Sequence, residues 1–169
     1  LEGAEDDGSA ARAELERRGL GPGDAVVAIS ASGRTPFALA ALEVAHARGA
    51  RRIALTCDPA SPLAAAAEVA IAPAVGPEVI AGSTRMKGGL VQKTVLHLLS
   101  TATAVRLGRV EGNRMTHLRP VSEKLRQRAR RIVAELGGVD EARAEALLHA
   151  CDGRVAEALA LARRDGDVR

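Results

Sequence analysis

The chain has 169 residues, 47% of them hydrophobic and 27% charged, with a net charge of +3, so it encodes a folded core rather than a disordered polymer. One Phe and no Trp or Tyr exclude base-stacking nucleic-acid platforms, aromatic carbohydrate modules and β-sandwich cores. Alanine is the commonest residue and Arg far outnumbers Lys, a bias of GC-rich coding rather than of function.

Residues 2–7 are acidic and precede a helix predicted from Ser9 to Arg18, capped by Ser9 and stopped by Gly19 and the Gly21-Pro22-Gly23 turn. Asp24 to Ser30 is an apolar run bounded by turn residues, the pattern of a buried strand. The polar loop from Ala31 to Thr35 follows. Pro36 then opens a helix to about Arg48, with Thr35 as N-cap and Gly49 past its end. Arg51 to Cys57 is a second strand, Asp58 to Pro62 a turn, and Leu63 to Glu68 a short helix. Val69 to Val75 is a third strand, which Pro73 assigns to an edge or a strand end. Strands and helices alternating at this spacing predict a parallel α/β sheet. Three strands make a small sheet whose edges are hard to protect.

A loop from Gly76 to Ser83 leads into a long helix, about Thr84 to Leu107, and another helix spans about Val121 to Leu136. Residues 137–169 read as a helical hairpin: Val139-Asp140 opens a helix to about Cys151, Asp152-Gly153 turns, and Val155 to Arg164 closes. Arg106, Arg109, Arg114, Arg119, Lys124, Arg126, Arg128, Arg130 and Arg131 form a basic stretch, read as a solvated helix face. A nucleic-acid surface there is the weaker alternative, since stacking aromatics are missing.

Two segments carry candidate chemistry. Between a strand and a helix, Ser30, Ser32 and Thr35 can surround a phosphate with their hydroxyls while backbone N–H groups at the helix start point toward it. Gly33 permits positive φ and close approach. The loop has neither the Lys of a P-loop nor a dinucleotide Gly fingerprint. The second segment, Ser83, Thr84, Arg85 and Lys87, opens the long helix, with Ser83 or Thr84 as cap. Cations in a first turn oppose the helix dipole, a conflict that a bound anion would resolve. Glu5 and Glu78 lie in loops without an evident capping role, and either could abstract a proton α to a carbonyl beside a sugar phosphate. His46, His97 and His149 read as helix residues, and His117 lies in a loop. Cys57 and Cys151 are far apart and form no metal-ligand pattern, which fits a reducing cytoplasm and no disulfide. No apolar run reaches membrane-spanning length, and no signal peptide is read at the start.

At these residues the sequence resembles a known family. Ser30-Ala-Ser-Gly-Arg-Thr35 after a strand is similar to the motif of sugar isomerase (SIS) domains. Gly76-Pro-Glu-Val-Ile-Ala-Gly-Ser-Thr-Arg-Met-Lys87, with Gln92-Lys93, resembles the signature shared by N-acetylmuramic acid 6-phosphate etherases and the glucokinase regulatory protein. The segments Glu2 to Asp7, Ile29 to Phe37, Leu107 to Asn113 and Pro120 to Leu125 resemble the bacterial etherases in particular, so the likeness runs through essentially the whole chain.

The resemblance implies a SIS-type, flavodoxin-like sheet with helices on both faces. It places a partial sugar-phosphate-binding domain at about 1–110 and a helical region at 111–169, the last part, about 137–169, UBA-like. It implies a lyase of cell-wall amino-sugar recycling, without metal or organic cofactor. The phosphorylated amino sugar N-acetylmuramic acid 6-phosphate would lose its D-lactyl ether through an unsaturated aldehyde to which water then adds. Ser30, Ser32, Gly33, Thr35, Ser83, Thr84, Arg85 and Lys87 would bind the sugar phosphate, and Glu5 would be an acid/base. A cytoplasmic homodimer, with no nucleic-acid or membrane partner, completes the implied picture.

Family members are longer, so an N-terminal part is expected to precede Leu1. It would contain two strands, a Gly- and Ser-rich phosphate loop and a second catalytic Glu in a Glu-Cys-Pro-Pro segment. Leu90 and Thr116-His117 depart from the etherase pattern. A non-catalytic sugar-phosphate-binding regulatory domain is the alternative.

Overall fold

A computed structural model describes residues 2–166. The chain divides into two compact units, Leu1–Leu98 and Leu99–Arg169.

In the first unit a short 3-10 segment, Glu2–Asp6, leads into α1 (Gly8–Arg17). The cap is Asp7 rather than the expected Ser9. Its carboxylate accepts from the Ala10 backbone N–H at 3.0 Å and from the Ser9 hydroxyl at 2.5 Å. A carboxylate there also complements the helix dipole, which a hydroxyl does not. β1 (Ala25–Ile29), α2 (Pro36–Ala47), β2 (Arg51–Leu55), α3 (Pro62–Ala66) and β3 (Val69–Ile71) follow. The strands pair in parallel in the order β1-β2-β3, with Ala25 opposite Arg51 and Ile53 opposite Val69. The expected α/β sheet flanked by helices is therefore present.

Alanine sets how closely these layers approach. Ala28 and Ala54 of the sheet pack against Ala38 and Leu42 of α2 and Leu63 of α3, all buried. Small residues on both sides let a helix lie close on a strand. α1 packs along α2, and Gly8 approaches so near that an added Cβ would lie 3.2 Å from the Ala40 Cβ. The alternate residues of β1 are less covered: Val27 and Ile29 are each 39% exposed. β2 and β3 end at Leu55 and Ile71, earlier than the apolar runs suggested; after β2, Thr56 and Cys57 turn into the loop that supports residues 30–35.

α4 (Lys87–Arg106) contains the boundary between the units. In the second unit Val110–Glu111 and Arg114–Met115 form a two-stranded antiparallel hairpin, β4 and β5, which the sequence reading does not anticipate. Two-residue strands are too short to show an alternating pattern. Three helices follow: α5 (Glu123–Gly137), α6 (Glu141–Ala150) and α7 (Val155–Gly166). Their shared core is Ala129, Ile132, Val133, Ala144, Leu147 and Ala158 with neighbouring buried residues. Gly138 closes α5 at φ 64°, and Asp140 caps α6 by accepting from the Arg143 N–H at 2.7 Å.

Candidate functional site

The loop after β1 is held from within and from below. Ser30 is buried, and its Oγ accepts from the Gly33 N–H at 3.1 Å and lies 2.8 Å from Thr35 Oγ1. Ser32 Oγ accepts from the Arg34 N–H at 3.3 Å and is itself exposed. Beneath the loop, Thr56 and Ser61 are fully buried. The Thr56 hydroxyl donates to the Ala31 carbonyl, and Leu63 N–H donates to the Gly33 carbonyl at 3.1 Å. Gly33 has φ 64°, and a Cβ there would sit 2.2 Å from Ser61 Oγ and 2.8 Å from Thr56 Oγ1. No other residue fits this position without displacing the loop floor. Thr35 occupies the N-cap position of α2 in extended conformation but makes no cap bond with its side chain. The hydroxyl pairs with Ser30 instead, which corrects the expected capping role.

The second segment departs further from its expected geometry. α4 starts at Lys87, so Ser83, Thr84 and Arg85 belong to the preceding turns and not to the helix. Ser83 Oγ accepts from the Arg85 N–H at 3.4 Å, within its own turn. The helix is capped by Glu78, nine residues earlier: Oε2 accepts from the Lys87 N–H at 2.9 Å and Oε1 from the Gly88 N–H at 3.0 Å. These two bonds, Lys87 first, hold the Glu78 carboxyl below its ordinary range. The Lys87 ammonium turns back to donate to the Pro77 carbonyl at 2.7 Å. Glu78 thus has the capping role denied to it by sequence, and its charge settles the dipole conflict assigned to a bound anion. Local capping patterns reach only three residues, so no sequence signal links position 78 to position 87.

Between the two segments lies an open cleft of about 850 Å³. Ser30, Ser32 and Thr35 line one side, Ser83, Thr84 and Arg85 another, and Glu5 contributes from the 3-10 segment. Ile29, Phe37 and Ala38 supply its apolar part, and Gln92 reaches it from the next turns of α4. Seven of the nine site residues read from sequence therefore border one cavity. Gly33 and Lys87 do not. The first supports the loop from behind, and the second is committed to Pro77. Glu5 is exposed, with space for a ligand before it.

Other candidates fall elsewhere. His117 belongs to the second unit, where its Nδ1 lies 3.1 Å from Thr116 Oγ1. Three of the basic residues in 106–131 are ion-paired with carboxylates: Arg114 with Glu135, Arg126 with Glu123 and Arg130 with Glu145. Burial, and then the charge of Glu78, push the Cys57 thiol above its ordinary pKa. Among the described residues no group of His, Cys, Asp and Glu is arranged to hold a metal ion. No helix among them is long and apolar enough to cross a membrane.

Comparison with known proteins bears on this geometry. Residues 13–102 match the SIS domain. The chain is 51% identical over 158 residues to the N-acetylmuramic acid 6-phosphate etherase of Symbiobacterium thermophilum, covering 94% of this chain and 52% of that protein. Its identity to the etherase of Streptomyces coelicolor is 48% over 167 residues, 99% of this chain and 54% of the relative. Etherase 1 of Enterococcus faecalis is 44% identical over 167 residues, with 99% and 56% covered. The chain spans about half the length of the curated relatives it matches.

Proposed function

The chain belongs to the SIS-domain family, and from that premise we propose that its cleft takes N-acetylmuramic acid 6-phosphate for etherase chemistry. The phosphate rests on the loop after β1, where Ser32 and the start of α2 face the cleft. Ser83, Thr84 and Arg85 border the sugar. Glu5 is the acid/base. The observation that carries this reading is the assembly of these three segments around a single cavity.

In this reading the sugar reacts in its ring-opened aldehyde form. A carboxylate removes the proton α to the aldehyde, and the C–O bond to the neighbouring carbon breaks, releasing D-lactate and leaving an unsaturated aldehyde. Water adds to that carbon, and the proton returns. Substrate and water thus become N-acetylglucosamine 6-phosphate and D-lactate. No atom changes its overall oxidation state, so the balance requires no external oxidant or reductant. Glu5, exposed and bordering the cleft, has room to reach a reacting carbon and to exchange its proton with water.

The sugar-phosphate-binding domain is placed at about 1–110, followed by the helical region at 111–169, and pairing of two copies in the cytoplasm is the expected assembly. The test is Glu5→Gln in a polypeptide of the relatives' length that carries these residues. Release of D-lactate should fall by a factor of about 10² or more while sugar-phosphate affinity stays within about twofold. Unchanged turnover removes Glu5 from the chemistry. Wild-type binding without any lactate release would instead support a non-catalytic sugar-phosphate sensor.

A further inference from the structure

Residues 79–86 carry one side of the cleft yet have little packing of their own. Val79 is 78% exposed and Ile80 69%, and Ala81, Gly82, Thr84, Arg85 and Met86 are exposed as well. Within the segment, the Ser83 N–H donates to the Ile80 carbonyl at 3.1 Å, and the Arg85 N–H to Ser83 Oγ. Such bonds shape the turns of the segment.

Its two ends, by contrast, are clasped. Glu78 before the segment binds the Lys87 and Gly88 N–H groups after it, and Lys87 Nζ returns to the Pro77 carbonyl. The clasp also sets the loop against the opposite side of the cleft. At Gly88, which is buried, an added Cβ would lie 3.3 Å from the Ala31 Cβ and 3.7 Å from Cys57 Sγ. Ala31 is part of the phosphate loop, and its carbonyl accepts from the Cys57 N–H at 3.0 Å and from the Thr56 hydroxyl. The first turn of α4 therefore abuts the floor of the other segment at a residue that Glu78 binds directly.

We propose that Glu78 is a positioning residue for the sugar-binding side of the cleft: by bridging Lys87 and Gly88 it fixes Ser83, Thr84 and Arg85 relative to the Ser30–Thr35 loop. This rests on the sugar-phosphate reading above. Glu78 is not itself an acid or base in that reaction. Each of its oxygens is occupied by a backbone N–H, and it does not border the 850 Å³ cleft.

The 169-residue chain and its Glu78→Gln variant decide the matter. Gln offers one acceptor oxygen where two N–H groups must be met, so one bond is lost and an NH2 faces a donor. Calorimetric affinity for N-acetylglucosamine 6-phosphate should fall about tenfold, while inorganic phosphate, which needs only the Ser30–Thr35 loop, keeps its affinity within about twofold. Amide hydrogen exchange should quicken at residues 79–88 and stay unchanged in β1, β2 and β3.

Unchanged sugar-phosphate affinity in Glu78→Gln overturns the proposal. So does equal loss for both ligands, or faster exchange throughout the sheet, since either marks a general loss of stability. Failure of the wild-type chain to bind either ligand overturns the sugar-phosphate reading itself and this inference with it, and is distinguished because it involves no variant.

Discussion

At Gly33 two independent constraints coincide. The backbone is left-handed, φ 64°, and the space a side chain would need is filled by Ser61 and Thr56. Gly33→Ala should therefore lower stability by roughly 2–4 kcal/mol, adding backbone strain to overpacking. Urea unfolding measures this, and a loss under 0.5 kcal/mol would mean that the loop floor yields freely. The positive φ was legible from the Ser-Gly-Arg-Thr pattern. The steric half was not, because Ser61 and Thr56 are distant in sequence and reach Gly33 only when β2 pairs with β1. Thr35 makes a similar point. A Thr before Pro reads as a cap, but Ser30 Oγ at 2.8 Å offers its hydroxyl another partner.

At the scale of elements, capping separates what short-range pattern reveals from what it misses. Ser122 and Asp140 cap α5 and α6 through N–H groups three residues on, at Leu125 and Arg143. Such spacing can be read along the chain, and Val139-Asp140 was read as the opening of a helix. Asp140→Ala should destabilise the second unit by about 1 kcal/mol, and the same change at Ser122, whose bond is 3.4 Å long, by less. Thermal melts followed by circular dichroism test the order, and a larger loss at Ser122 would contradict it. α4 obeys a different logic. Its cap comes from Glu78 across a turn, so the sequence pattern starts the helix near Thr84 and the structure starts it at Lys87. Element types were readable from periodicity and from Gly and Pro positions, whereas this boundary depended on a contact between segments.

For the whole molecule, surface carboxylates paired with arginine set the response to acid. Glu14 is held down to about 2 by Arg17 and Arg18, while Glu68 is lowered by Arg51 and Arg52 and Glu123 by Arg126. Glu78 is lowered by backbone N–H groups. Carboxyls depressed in the folded state favour folding above their ordinary value near 4.5, and that contribution disappears as pH falls through the folded values. The melting temperature should therefore hold steady down to about pH 5 and decline between about pH 4.5 and 2. Added salt should reduce the part due to the exposed Arg pairs. A flat melting temperature across that window would show that these pairs contribute nothing to folding.

By itself the sequence determined the order of the α-helices and the three parallel strands, the parallel α/β class and the polar loop after the first strand. All of these follow from local periodicity, turn residues and the likeness of short motifs. Only the tertiary structure decided that Glu5, Ser32 and Arg85 border one cleft, that Lys87 turns away from it, and that Glu78 caps α4. These depend on pairing β1 with β2 and on seating the first turn of α4 against Ala31, contacts between residues that no short window contains.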